Sequence, residues 1–104
     1  MQKIFFDLEI YSYQIDFMGH VNNAVYINWM EIGRTKLLEA VGMPTHEIFK
    51  QGFAPVLIQT SITYKSPLYL GERVQVESWL SELRNASATL QFRFYNPKKA
   101  LAAE

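Results

Sequence analysis

The sequence predicts an α+β domain in which an antiparallel β-sheet is wrapped around one long central α-helix. Three observations lead to this fold class. Apolar residues alternate in several short segments, one helical stretch is apolar over most of its length, and the elements follow the order strand, helix, run of strands. Because so apolar a helix must be covered on several sides, a curved sheet around it fits the pattern.

The first strand is predicted over Lys3–Ser12. Apolar side chains stand at every second position of this segment, and charged residues occupy several of the positions between them. This period of two is typical of a strand with one buried face. The inward set is Ile4, Phe6, Leu8 and Ile10.

A long helix is predicted next, because apolar residues recur there every three or four positions, the spacing of one buried helical face. Asn22 and Asn23 are favoured N-cap residues and stand just before this pattern, whereas Gly42 and Pro44 are typical of a helix end. The predicted buried face consists of Tyr26, Trp29, Met30, Gly33, Leu37, Ala40 and Val41.

The remainder of the chain reads as a short helical turn between Pro44 and Lys50, followed by strands with a period of two. Residues 97–104 read as a turn and the start of a further element. We therefore expect a single domain over residues 1–104 that lacks its last strand. The three predicted strands are Ala54–Lys65, Arg73–Leu83 and Ala88–Asn96.

The composition excludes several classes of function. Ten acidic and ten basic residues give a formal net charge of zero, so no basic surface favours nucleic acid as a partner. The absence of cysteine excludes thiol catalysis and suits a reducing compartment. No apolar run reaches the length of a membrane span and no signal peptide is evident. We expect a cytoplasmic protein with no membrane partner.

The residues suited to chemistry lie in the loop that precedes the helix. Asp16 has apolar neighbours, which suggests a partly buried carboxylate that can act as a nucleophile or a general base. An aspartate in a loop is more often an exposed or capping residue, and this alternative stays open. His20 reads as a proton-transfer or orienting group. No metal-ligand spacing is present, so we expect neither a metal nor an organic cofactor.

The start of the helix is a second candidate feature. Unpaired backbone N–H groups and the positive end of the helix dipole meet there. Such donors can form an oxyanion hole for a polarised carbonyl oxygen. The alternative interpretation of Asn22 and Asn23 is that they act as caps alone. A capped helix still presents free N–H groups, so the two interpretations are compatible.

One long motif carries a resemblance to a known family, and a second motif supports it. The first comprises Asp16, Gly19, His20, Val21, Asn22, Asn23, Tyr26 and Glu31, and the second comprises Tyr64, Pro67 and Gly71. Up to about Asn96, the chain resembles the hotdog-fold thioesterases, specifically the group of 4-hydroxybenzoyl-CoA thioesterase and the long-chain acyl-CoA thioesterases.

This resemblance implies a homodimer, with a second interface able to build a tetramer, and an active site at the shared surface. It implies that Asp16 is the catalytic aspartate and that the backbone N–H of Asn23 polarises the thioester carbonyl. Some relatives carry a histidine seven residues after the aspartate, where this chain has Asn23, so attention shifts to His20. The expected substrate-binding residues are Gly19, Val21, Asn22, Tyr26 and Ser61.

The leading hypothesis is hydrolysis of an acyl-CoA thioester to a free carboxylic acid and CoA. Two alternatives stay open, an acyl-ACP thioesterase and a non-catalytic acyl-binding hotdog subunit. The sequence leaves the acyl group undetermined. We expect Tyr64, Phe94 and the residues around Val56–Ser61 to lie near the partner subunit or the acyl chain.

Overall fold

The computed structural model describes residues 3–40, 42, 60–83 and 88–104. Within these residues the chain forms a short 3-10 helix, one α-helix and a sheet of four strands. The elements are β1 (Lys3–Glu9), the 3-10 helix Ser12–Gln14, α1 (Asn23–Ala40), β2 (Arg73–Leu83), β3 (Ala88–Tyr95) and β4 (Leu101–Ala103).

The four strands are antiparallel neighbours in the order β1-β2-β3-β4. Phe6 on β1 lies opposite Val76 on β2, and Val76 in turn lies opposite Phe94 on β3. These residues belong to the face that packs on α1, where Trp29, Val76 and Phe94 form part of one buried cluster. The predicted alternation of buried and exposed positions along β1 is confirmed.

A further extended segment flanks β4. Tyr64 lies opposite Ala103 in an antiparallel bridge. Thr63 and Glu104 exchange hydrogen bonds of 2.8 and 3.1 Å, and the Lys65 N–H donates to the Ala102 carbonyl at 2.8 Å. Residues 54–59 of the predicted strand Ala54–Lys65 lie outside the described residues, but the end of that segment extends the sheet beyond β4.

The predicted limits of the long helix agree with the structure. Asn22 caps its start, since the Asn22 Oδ1 accepts the Ala24 N–H at 2.9 Å. The helix ends at Ala40, and Gly42 adopts a φ of +81°, the left-handed conformation typical of a residue just beyond a helix. Of the predicted buried face, Tyr26, Trp29, Gly33 and Leu37 are buried and Met30 is partly buried, but Ala40 is exposed.

The end of β1 and the segment after β3 differ most from the prediction. β1 ends at Glu9 and not at Ser12, because the chain turns into the 3-10 helix, where Gln14 Oε1 accepts the Tyr11 N–H at 2.8 Å. After the turn that follows β3, residues Leu101–Ala103 form β4, which the alternation in the sequence did not reveal. A strand of three residues is too short to show a period. The predicted turn Pro44–Lys50 lies outside the described residues.

Phe94 belongs to the core and not to a contact surface. It is fully buried, and its ring packs against the rings of Tyr26 and Trp29 at centroid distances of 5.2 and 6.0 Å. No helix in the described part of the chain is both long enough and apolar enough to cross a membrane.

Candidate active site

Asp16 organises the loop that leads to α1. Its Oδ1 accepts the N–H groups of Met18 at 2.9 Å and of His20 at 3.2 Å. Its own N–H donates to the His20 carbonyl at 2.8 Å, and its carbonyl accepts the Gly19 N–H at 3.0 Å. One carboxylate oxygen is therefore committed to the loop, while in the described part of the chain Oδ2 has no hydrogen-bond partner.

Gly19 allows this loop to close. Its φ is +81°, a conformation that residues with a side chain rarely adopt. A Cβ built on it would meet no atom within 4 Å, so the requirement for glycine is conformational and not steric. Gly19 thus shapes the Asp16 loop, and its expected role in substrate binding stays a prediction.

The apolar neighbours of Asp16 do not shield it as the sequence suggested. Phe17 is 97% exposed and Met18 is 63% exposed, so both side chains point into solvent. Asp16 is only partly buried within the single chain. Apolar residues do lie next to Asp16, as the sequence suggested. In the single chain, however, they form an exposed apolar surface beside the carboxylate and do not cover it.

His20 approaches Asp16 through its backbone. Its imidazole packs edge-on against the ring of Tyr69, with centroids 5.2 Å apart and an interplanar angle of 87°. The same two residues form an antiparallel bridge. In the described residues, no hydrogen bond joins the imidazole to the Asp16 carboxylate. The side chain of His20 is therefore placed by Tyr69 and is partly buried beside the loop.

The first turn of α1 leaves one backbone donor free. The Ala24 N–H donates to Asn22 Oδ1 at 2.9 Å, and the Val25 N–H donates to the Asn22 carbonyl at 3.0 Å. The Asn22 N–H itself donates to the Gln14 carbonyl at 2.8 Å. The Asn23 N–H has no acceptor among the described residues, so it is the donor that can receive a ligand oxygen.

A cavity of about 240 Å³ adjoins this turn of the helix. Tyr26, one of its walls, is only 2% exposed. Burial is the main cause that raises the pKa of Tyr26 to about 12, and the nearby Tyr64 is a smaller cause. The phenol of Tyr26 therefore stays neutral over the physiological pH range. The lining residues are Val21, Asn23, Tyr26, Tyr64, Lys65, Ser66 and Pro67.

The predicted site residues thus fall into two connected groups. Asp16, Gly19 and His20 are joined within the loop, whereas Val21, Asn23 and Tyr26 line the cavity. Val21 links the groups, because it pairs with Ile15 next to Asp16. Asn22 acts as the cap.

Ser61 makes no hydrogen bond to either group in the described residues, and it is exposed. Sequence reasoning gave no site role to Lys65, Ser66 and Pro67, which line the cavity, and expected Tyr64 only near the partner or the acyl chain. Tyr64 and Pro67 belong to the second motif, and that was the available signal.

A larger groove, of about 470 Å³, lies elsewhere, between β1 and α1. Its walls include Glu9, Tyr11, Trp29 and Arg73, and none of the predicted site residues. Glu9 is occupied by Arg73 at 3.0 Å and by the Tyr11 hydroxyl at 3.1 Å. Volume alone therefore does not identify the site, because the predicted residues Val21, Asn23 and Tyr26 line the smaller cavity.

Comparison with protein families gives a match over nearly the whole chain. The family described as the thioesterase-like superfamily matches residues 12–104. The matched range contains the Asp16 loop, α1 and the cavity.

Two curated relatives illustrate the range of the similarity. The chain is 31% identical over 96 residues to the Bacillus subtilis (strain 168) protein named "Putative acyl-CoA thioesterase YneP", a match that covers 92% of this chain and 70% of that protein. It is 33% identical over 75 residues to the acyl-acyl carrier protein thioesterase ATL3, chloroplastic, of Arabidopsis thaliana. That match covers 72% of this chain but only 40% of the plant protein.

Among solved structures, the fold is similar to that of a DHNA-CoA thioesterase from Staphylococcus aureus. The TM-score is 0.94 at 22% sequence identity, over 99% of this chain and 69% of that one. At this identity the likeness establishes the fold alone. The predicted hotdog fold is confirmed.

Proposed function

Since the chain belongs to the thioesterase-like superfamily, we propose that it hydrolyses an acyl-CoA thioester to a free carboxylic acid and CoA. The observation that carries the proposal is the state of the Asp16 carboxylate. One oxygen is held by two backbone N–H groups, and the other has no partner in the described residues, in a loop that runs directly into the helix start. The name of the Bacillus relative supports the acyl-CoA substrate.

Asp16 Oδ2 is the reacting atom in this proposal. As a general base it takes a proton from water while the water oxygen bonds to the thioester carbonyl carbon. Collapse of the tetrahedral intermediate breaks the C–S bond, and the proton passes to the departing sulfur. As a nucleophile, Oδ2 attacks the carbonyl carbon itself, the C–S bond breaks, and CoA leaves as a thiolate while an anhydride forms. Water then hydrolyses the anhydride to the free acid and the Asp16 carboxylate, and the proton released from water passes to the thiolate. Both routes give one acid and one thiol.

The Asn23 N–H supplies the electrostatic stabilisation of the transition state in this proposal. During either route, negative charge develops on the carbonyl oxygen of the substrate. A backbone donor at the positive end of the helix dipole stabilises that charge without reorganising. The cavity beside Asn23, with the neutral phenol of Tyr26 in its wall, gives room for the acyl group next to this donor.

His20 has an accessory role in this scheme. Because its imidazole is placed by Tyr69 and not by Asp16, it does not share a proton with the carboxylate in this structure. We assign it to orienting water or carrying a proton between the site and solvent. The expected cytoplasmic location stays a prediction.

An acyl-ACP thioesterase is the second candidate, favoured by the 33% identity to the Arabidopsis protein. Both candidates use the same carboxylate and differ in what delivers the acyl group. The third hypothesis, a non-catalytic acyl-binding subunit, predicts no turnover at all. A measurement of turnover therefore separates the two thioesterase candidates from the non-catalytic subunit.

We further propose that the working form is a homodimer whose second copy covers the Asp16 loop. Phe17 and Met18 expose a large apolar surface beside the carboxylate. At the sheet edge, the backbone hydrogen bonds of Thr63 and Lys65 are directed toward β4 and the residue after it. Because the direction of the backbone N–H and C=O groups alternates along an antiparallel strand, those of Tyr64 point away from β4. Pairing with a second copy would satisfy such open groups.

Release of free thiol from a panel of substrates tests the proposed function. Matched pairs of one acyl or aryl group, carried on CoA and on acyl carrier protein, are compared by kcat/KM. We expect turnover with a clear preference for CoA. A preference for the carrier-linked member would favour the second candidate, and the absence of turnover with every pair would contradict hydrolysis.

A further inference from the structure

Tyr64 holds the first turn of α1 from outside the helix, and we propose that it is a positioning residue for the Asn23 N–H group. The inference rests on the proposed function, because that function makes the Asn23 N–H an oxyanion donor. It assigns to Tyr64 a task that is separate from contact with the substrate.

The contact that carries the proposal spans the fold. The Tyr64 hydroxyl donates to the Asn23 carbonyl at 3.2 Å, between residues 41 positions apart in sequence. Asn23 is the first residue of α1, and its carbonyl has two lone pairs. It can therefore accept the Tyr64 hydroxyl in addition to a bond from within the helix.

The two peptide groups that flank the Asn23 Cα are both held. In the first, which contains the Asn23 N–H, the Asn22 carbonyl accepts the Val25 N–H at 3.0 Å. In the second, the Ala24 N–H donates to Asn22 Oδ1 at 2.9 Å, and the Asn23 carbonyl accepts Tyr64. Two of these groups are held by residues at the helix start, and Tyr64 holds the Asn23 carbonyl from the sheet.

Tyr64 is 43% exposed but is held at both its ring and its backbone. Its ring lies edge-on to the ring of Tyr26, with centroids 5.2 Å apart and an interplanar angle of 77°. Its backbone lies opposite the fully buried Ala103, and Thr63 and Lys65 on either side bond to β4. Because the Tyr64 hydroxyl is held in this way, it can hold the Asn23 carbonyl in place. The neighbouring Asn23 N–H is then preorganised, and a preorganised oxyanion donor needs no reorganisation during the reaction.

A substrate-binding role for the Tyr64 hydroxyl is the competing interpretation. The hydroxyl has one proton, and this proton is already donated to Asn23. Donation to a substrate would break the contact, so the structure favours positioning. The two roles differ in which kinetic constant changes when the hydroxyl is removed.

The test is Tyr64→Phe, which keeps the ring against Tyr26 and removes the hydroxyl. We expect kcat to fall about 3- to 10-fold with KM unchanged, the range that follows from losing one neutral hydrogen bond in the transition state. We also expect the backbone amide resonance of Asn23 to shift in the ¹H–¹⁵N NMR spectrum, because its peptide neighbour loses a fixed bond.

Tyr95→Phe is the matched control. The Tyr95 hydroxyl donates to Glu77 Oε1, also at 3.2 Å, on the face of the sheet that points away from α1. Tyr95→Phe thus removes a similar bond far from the proposed donor. We expect unchanged kcat and an unshifted Asn23 resonance in this variant, even where the melting temperature falls as much as in Tyr64→Phe.

The outcomes separate the two proposals. Full kcat in folded Tyr64→Phe, an equal fall of kcat in Tyr95→Phe, or a rise of KM alone would overturn the positioning role. If Asp16→Asn loses activity in the same assay and Tyr64→Phe does not, only the role of Tyr64 fails. If the wild type turns over no thioester, the proposed function fails, and the Asn23 resonance decides: a shift specific to Tyr64→Phe supports positioning, and no shift overturns it.

Discussion

The two carboxylate oxygens of Asp16 differ in their contacts. Its Oδ1 closes the loop through Met18 and His20, and its Oδ2 has no hydrogen-bond partner among the described residues. The alternative interpretation of this residue, a capping aspartate in a loop, accounts for the bonds of Oδ1, and a reacting role for Oδ2 is our proposal. Because an asparagine Oδ1 can accept the same two N–H groups, the loop and the reaction can be separated by a conservative substitution.

Tyr26 gives a prediction about alkaline stability. Burial raises its pKa from 10.0 to about 12 in the folded protein. The folded state therefore holds the phenol proton more tightly than the unfolded state, and this contribution to stability is complete below about pH 10 and lost as the pH rises toward 12. Between about pH 10 and 12, we expect the free energy of unfolding of Tyr26→Phe to fall less than that of the wild type. Urea unfolding at each pH measures this difference.

Tyr13→Phe is the control for this measurement, since Tyr13 is 83% exposed. Its alkaline loss of stability should equal that of the wild type. The same loss in Tyr26→Phe as in wild type would contradict the assigned cause.

At the scale of elements, Gly33 sets how closely α1 approaches the sheet. A Cβ at this position would lie 2.5 Å from Phe92 Cε1 and 3.2 Å from Phe6 Cζ. Alanine gains about 1 kcal/mol of helix propensity over glycine, but overpacking costs about 1–3 kcal/mol. We expect Gly33→Ala to lower the free energy of unfolding, measured with urea, by about 1 kcal/mol.

Phe92→Leu provides the internal check, because it removes the ring atom nearest to the new methyl group. The cost of Gly33→Ala should be smaller in the Phe92→Leu background than in wild type. A Gly33→Ala protein as stable as the wild type would show that the Phe92 ring moves aside freely and that the glycine is not needed for the approach.

Local signals account for the elements that the sequence predicted well. The limits of β2 agree with the prediction, although its pairing with β3 is irregular between Leu80 and Glu82, and α1 begins where the Asn22 side chain caps the helix. The bond from Tyr64 to Asn23 could not be predicted in this way. It joins residues 41 positions apart and depends on the edge segment lying beside β4.

At the scale of the whole molecule, the exposed surface beside Asp16 predicts self-association. We expect light scattering across a dilution series to give about twice the chain mass of 12.1 kDa down to low micromolar concentration. Phe17→Ser should weaken the dimer, because Phe17 is almost fully exposed in the single chain. A tetramer would indicate a second interface.

Phe5→Ser is the matched control, since Phe5 is also an exposed phenylalanine but lies on β1, away from the Asp16 loop. We expect it to leave the mass unchanged. A fully active wild-type monomer at low micromolar concentration would contradict a site completed by the second copy.

The account as a whole depends on Asp16 being the reacting carboxylate, and Asp16→Asn tests this most directly. Since the asparagine Oδ1 can keep both loop hydrogen bonds, we expect the melting temperature to stay close to that of the wild type. Thioester hydrolysis, followed by release of free thiol, should fall by at least about 100-fold. Turnover at the wild-type rate by a folded Asp16→Asn protein would contradict the central claim.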